Sequence, residues 1–196
     1  MQSKRILQTI TALALAGGLS LTARAQIGSG WSSVSETFKV QTSGSGSVSG
    51  NVFKLTSTSS GTKDRAEREY STWSTGQHQF QGTVVVNSLG GDRICLKQTF
   101  QVNTGPWNMI AVAKAGHLYE VSTGATLASY TVGSSAQINT ILNTSAKTVA
   151  VYINGSLKET LTGGVMPCYD KCGTYRTDSG TAPITATWTN VKFWQK

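Results

Sequence analysis

Tyr169, Lys171, Gly173 and Tyr175 hold every second position of one short stretch, Tyr169-Asp-Lys171-Cys-Gly173-Thr-Tyr175. Read as a β-strand, they share one face, with phenol, ammonium and phenol spaced about 7 Å apart or more along it. The glycine between them leaves room for something to lie close. A buried strand does not normally place such groups inward, whereas an open, solvated groove does. A nearby ammonium favours the phenolate, so a tyrosine here is expected to have a lowered pKa and to exchange a proton. The competing reading is an ordinary edge strand whose aromatics pack and whose lysine is solvated.

Two further stretches carry polar groups at strand spacing. Asp64-Arg65-Ala66-Glu67-Arg68-Glu69-Tyr70 is the densest charge run of the chain. As a strand it places Arg65, Glu67 and Glu69 on one face and Ala66, Arg68 and Tyr70 on the other. An arginine beside a glutamate is an arginine held in position for an anionic ligand. The alternative is a solvated charge run. In Arg93-Ile94-Cys95-Leu96-Lys97-Gln98-Thr99-Phe100, strict alternation lets Gln98 share a face with Ile94, Leu96 and Phe100, which makes it a placed amide.

Other chemistries lack their residues. The only histidines, His78 and His117, are far apart and show no H-x-x-x-H spacing, and no C-x-x-C occurs, so neither a metal nor another cofactor is expected. No G-x-S-x-G marks a serine hydrolase. A glycosidase needs two carboxylates across a cleft, and Glu67 and Glu69 already stand beside arginines. Arg65 or Arg68, Gln98, His78, Tyr169 and Lys171 remain. β-Elimination on a uronic acid polymer uses such a set. Neutralising the carboxylate acidifies the C5 proton, and arginine, amide and histidine do so by charge-assisted hydrogen bonds. A tyrosine then abstracts that proton, protonates the leaving glycosidic oxygen, or both.

The elements that must position these groups are strands. Alternating segments recur at regular spacing through a chain rich in Gly, Ser and Thr, which predicts an all-β fold, a two-sheet sandwich or jelly roll. Residues 147–161 read as a hairpin closed by Asn154-Gly155 in a type I′ turn. Residues 184–194 form a long closing strand. Residues 41–50 read as a flexible polar loop between two strands. Only residues 136–143 offer a short helix.

The first 25 residues are of another kind. Lys4 and Arg5 precede an apolar run, and Ala23-Arg24-Ala25 supplies a small-x-small cleavage pattern. That is a secretory signal peptide, so residues 26–196 are expected to be one exported domain with no membrane anchor, acting as a monomer. Without the leader, 14 Lys+Arg face 9 Asp+Glu, a net +5. Outside the cell this excess points to an acidic polysaccharide more than to nucleic acid. Of the three cysteines, parity puts Cys95 and Cys172 behind the groove, so a Cys95–Cys172 disulfide is expected.

Tyr169-x-Lys171-x-Gly173-x-Tyr175 resembles the Y-F-K-A-G-x-Y motif of jelly-roll alginate lyases, and residues 64–68 resemble their R-x-E-x-R strand. Residues 94–100 stand where those enzymes have Q-I-H. The closing residues 188–194, residues 70–82 and the Asn154-Gly155 hairpin look similar to glucuronan-lyase-like secreted proteins. The resemblance implies a concanavalin-like jelly roll whose concave groove binds the polymer. By position, Arg65 and Gln98 would hold the carboxylate and Tyr169 would act as acid and base. Lys171 and Tyr175 would line the groove, and Glu67 would orient Arg65. Two departures stand out. Phe100 replaces the histidine of Q-x-H, and the second arginine position falls on Glu69, with Arg68 out of register. Either His78 replaces the missing histidine in space, or the chain binds an acidic glycan without cutting it.

Overall fold

The computed structural model describes residues 26–58, 63–176 and 183–196. Residues 1–25, where the sequence leads one to expect a secretory signal peptide, lie outside them. Fifteen antiparallel strands and no helix make up the described residues. One sheet runs β13(Ser156–Thr162), β12(Thr148–Ile153), β11(Ser135–Asn143), β6(Gln77–Leu89), β15(Ile184–Gln195), β4(Val52–Leu55) and β3(Gly46–Ser49). β1(Ser32–Val34) adds to it by pairing with the far end of β15. The other sheet runs β10(Thr126–Ser129), β9(His117–Glu120), β8(Gly105–Ala113), β7(Arg93–Gln101), β14(Cys168–Tyr175), β5(Arg65–Trp73) and β2(Phe38–Ser43). The two pack face to face as a sandwich.

Alternation sets what each strand buries. Phe80, Val84 and Val86 of β6, Ile184, Ala186 and Trp188 of β15, and Phe53 and Leu55 of β4 meet Ala66, Tyr70, Ile94, Ile110, Val112, Cys168 and Cys172 of the other sheet. These side chains are nearly all fully buried. Burying one of the large apolar ones contributes on the order of 1.5–3 kcal/mol. The Asn154-Gly155 turn has φ of 51° and 79°, the two positive values a type I′ turn requires. Residues 136–143, where a short helix was considered, lie in β11, paired on both sides. The polar residues 41–50 are not a loop either. They lie largely in β2 and β3, because each can pair with a longer neighbour, β5 or β4.

One polar cluster crosses the interior. Lys97 is fully buried, and its Nζ donates to Asp170 Oδ1 at 2.7 Å, to the Gln98 carbonyl at 3.1 Å and to Thr99 Oγ1 at 3.1 Å. The same ammonium lies 4.7 Å from the ring centre of Phe80 on the opposite sheet. Lys97 reaches the interior because β7 carries a bulge between Cys95 and Lys97. Leu96 and Lys97 both turn inward, and the parity of the strand changes there.

That bulge overturns the expected Cys95–Cys172 disulfide. Cys95 pairs with Tyr175 and Ala111 on the outer face, whereas Cys172 belongs to the core. The sheet itself stands between them, and Cys95, Cys168 and Cys172 are all buried free thiols.

Two outcomes test this arrangement. Asp170→Ala leaves a buried ammonium without its carboxylate and is expected to cost about 3–5 kcal/mol of stability, read from denaturant unfolding. A thiol-reactive dye is expected to label no cysteine in the folded protein and all three after unfolding. Labelling of a single cysteine after unfolding would mean that the other two are joined.

Candidate active site

Three adjacent strands, β7, β14 and β5, present the candidate residues on the outer face of the seven-stranded sheet. Tyr169, Lys171 and Tyr175 come from β14, Arg65, Glu67 and Glu69 from β5, and Gln98 from β7. Cross-strand pairing sets their rows: Lys171 lies between Gln98 and Glu69, Tyr175 opposite Arg65, and Tyr169 opposite Phe100.

Glu67 organises the centre. It is 1% exposed, and Arg65 Nε lies 2.9 Å from its Oε2 while Gln98 Nε2 donates to its Oε1 at 2.5 Å. Gln98 sits two strands from Glu67. The contact crosses β14, on which Lys171 pairs with Gln98 and Gly173 with Glu67. Burial pushes the Glu67 carboxyl up from the ordinary range, against the downward pull of Arg65, Lys171 and the Gln98 amide. One buried carboxyl therefore fixes both the guanidinium and the amide.

Gly173 is required by a close approach. Its φ is +150°, and a Cβ there would lie 2.2 Å from the Ala66 carbonyl oxygen and 2.7 Å from the Glu67 Cα. The group that lies close to this glycine is the backbone of β5.

Lys171 is 3% exposed, and its Nζ donates to Gln41 Oε1 at 2.8 Å and pairs with Glu69 Oε2 at 3.2 Å. Glu69 also meets Lys39 at 2.6 Å. With its charge matched in this way, Lys171 does not depress the neighbouring phenol. Tyr169 is pushed up from 10.0 to about 12 by burial first, then by Glu69, with Arg65 acting the other way and Glu67 adding to the rise. The lowered pKa expected from sequence is thus reversed. Tyr169 is a proton donor at rest. Its ring stacks on Phe100 with centres 5.2 Å apart, and Tyr175 carries the Arg65 guanidinium 4.8 Å from its ring centre.

Two expected members lie elsewhere. Arg68 turns inward with Tyr70, since alternation along β5 opposes it to Arg65 and Glu67. It sits over the Phe38 ring and donates to the Gly50 carbonyl at 2.7 Å, in a cleft of about 300 Å³ that Glu36, Tyr70 and Phe193 also line. His78 belongs to β6 of the other sheet, stacked on Trp73 at 3.8 Å, with its Nε2 2.5 Å from the Thr75 carbonyl oxygen. Burial lowers its pKa. It does not take the place of the histidine that Phe100 replaces. Sequence reasoning missed Gln41 and Lys39 of β2, which hold the Lys171–Glu69 pair. Their every-second spacing in Lys39-Val40-Gln41 was the available signal.

No protein-family model matches the chain, and no curated protein does. Solved structures do. The alginate lyase AlgAT5 of polysaccharide lyase family 7 is 22% identical with a TM-score of 0.62, over 80% of this chain and 81% of that one. The marine family 7 alginate lyase AlyA1 from Zobellia galactanivorans gives 16% and 0.65, over 82% and 95%. A sialidase gives 13% and 0.61 over 80% of this chain, but only 16% of its own. The chain thus has the jelly-roll fold of the family 7 alginate lyases. At these identities the likeness carries the fold and leaves the chemistry to the site.

The Tyr169 phenol is expected to ionise near pH 12 in a spectrophotometric titration, and Tyr169→Phe is expected to remove that transition. The sign for stability follows. A phenol raised above its unfolded value of 10.0 contributes stability fully present below pH 10, lost as pH rises toward about 12. An ionisation at or below the ordinary tyrosine value would contradict the geometry.

Proposed function

We propose that the protein is a secreted polysaccharide lyase that cleaves an acidic polyuronate, glucuronan or alginate, by metal-independent β-elimination. The observation that carries the reading is the placement of Arg65, Gln98 and Tyr169 on one sheet face, with Arg65 and Gln98 both locked by Glu67. Arg65 and Gln98 bind the uronate carboxylate and spread its charge, which acidifies the C5 proton. Tyr169 exchanges the proton with the substrate. Lys171 and Tyr175 line the path of the chain. The net +5 of residues 26–196 suits a polyanion, and the leader directs export.

Phe100 favours a second reading, a carbohydrate-binding protein on the same scaffold that holds the polymer without cutting it. An aromatic stack beside Tyr169 gives a sugar an apolar platform in place of a titratable neighbour.

Incubation with polyuronates separates the two. Elimination leaves a conjugated C4=C5 uronate that absorbs in the ultraviolet, and neither hydrolysis nor binding produces it. Absorbance is expected to rise, and Tyr169→Phe is expected to lower the rate by about 10²–10⁴-fold, the range for loss of a general acid–base group. The rate is also expected to climb with pH through the alkaline range, since a phenol near 12 yields more of its basic form at each step. A flat trace with retained binding in affinity electrophoresis would establish the binding protein instead.

A further inference from the structure

Among the described residues, Arg68 is left without a counter-charge. Arg65, Lys97 and Lys171 each meet a carboxylate, but no ion pair joins Arg68 to one. A terminal nitrogen donates to the Gly50 carbonyl at 2.7 Å, and Nε is buried with no hydrogen-bond partner. Tyr70 beside it is neutral, since burial pushes the phenol well above its ordinary value of 10.0. A half-buried guanidinium in this state is costly unless an anion reaches it from outside.

The fold provides a way in. β1 pairs with β15 and β2 with β5, at edges of opposite sheets, and residues 35–37 connect the two. Between them the sandwich opens as the cleft of about 300 Å³ that holds Arg68, at the small end of ligand-pocket volumes. Val191, Lys192 and Phe193 line it where β15 bulges.

The lining is mixed in sign and in polarity. Arg68 and Lys192 are cationic and Glu36 is anionic, Ser33 and Ser35 add hydroxyls, and Phe38 is 48% exposed. The Arg68 guanidinium lies 4.3 Å from the Phe38 ring centre, so charge and apolar ring are adjacent. A bare inorganic anion would satisfy Arg68 and be repelled by Glu36. A neutral sugar would leave Arg68 unmatched. A sugar acid meets both demands: its carboxylate takes the guanidinium, its hydroxyls donate to Glu36, and its C–H face rests on Phe38.

We propose that this cleft is a second, non-catalytic binding site for a uronate residue, on the flank of the sandwich and separate from the outer face of the seven-stranded sheet. The choice of a uronate rests on the reading of the protein as one that meets an acidic polysaccharide. Arg65 and Arg68 point to opposite faces of β5, so each takes a different sugar. β2 serves both sites, with Lys39 and Gln41 on the outer face and Phe38 in the cleft.

The test uses the whole protein and the methyl glycosides of glucuronate and mannuronate, each a single uronate with no sugar on O4 to eliminate. Binding is read by titration calorimetry and ligand-observed NMR. Arg65→Gln, which silences the outer face, is expected to keep a binding site for at least one probe. Adding Arg68→Gln is expected to weaken that site about 10- to 100-fold, the range for a lost charge-assisted hydrogen bond. Adding Phe38→Ala instead, at an exposed ring whose removal leaves the core intact, is expected to weaken it about 2- to 10-fold. Probe binding that Arg65→Gln abolishes, or that Arg68→Gln and Phe38→Ala both leave unchanged, overturns the inference and leaves the outer-face reading standing. So does a wild-type protein that cleaves or retains polyuronate and binds neither probe. Acetate that binds the cleft as tightly as the glycosides overturns the sugar acid in favour of a carboxylate alone. A protein that neither cleaves nor retains polyuronate overturns the proposed function, and the choice of a uronate with it.

Discussion

An ammonium buried between two sheets must find its counter-charge or the fold does not close. Lys97 finds Asp170, and this sets the register of β14 on β7. The pair lies directly beneath the strand segment that displays Tyr169 and Lys171 on the other side. Because Asp170 alternates with Tyr169 and Lys171, pinning the carboxylate inward pins both side chains outward. The Thr99 hydroxyl donates to the same carboxylate oxygen at 3.0 Å, so the interior charge is bound from two positions of β7. The geometry of the outer face is in this sense a product of an inner contact.

On the outer face a second set of charges, Glu67 and Lys171 among them nearly fully buried, does related work. Glu67 binds Arg65 and Gln98, and Glu69 binds Lys39 and Lys171. Each carboxylate thus joins strands that are neighbours or next neighbours, and together they span β2, β5, β14 and β7. Preorganised donors of this kind need little rearrangement when an anion arrives, which is the condition under which electrostatic stabilisation is large. The stack of Phe100 on Tyr169 closes the same face with rings.

Much of this was legible in the sequence, because a strand's period of two is a local property. The shared face of Tyr169, Lys171 and Tyr175, the arginine–glutamate pairing on β5 and the Asn154-Gly155 hairpin all follow from nearest neighbours. The errors arose where a non-local constraint intervened. The bulge after Cys95 exists to deliver Lys97 to Asp170, seventy-three residues away, and no local pattern announces it. It moved Cys95 to the face opposite Cys172. His78 went to the wrong site because periodicity does not say which of two sheets a strand joins. The strands within residues 41–50 escaped notice because small polar residues carry little pattern and take their conformation from β5 and β4. The phenol's upward shift was missed because it comes from burial and from the nearby Glu69, which also matches Lys171, and only the fold supplies both.

The parity change along β7 has a further consequence for watching the molecule move. It leaves one sulfur, Cys95, on the outer surface of the sheet and two, Cys168 and Cys172, on the inner. Peeling of the outer cover exposes the first, while separation of the layers exposes the other two. Alkylation under native conditions, followed by mass spectrometry, would therefore distinguish two kinds of breathing on a single sheet by which sulfur reacts first, with no residue substituted.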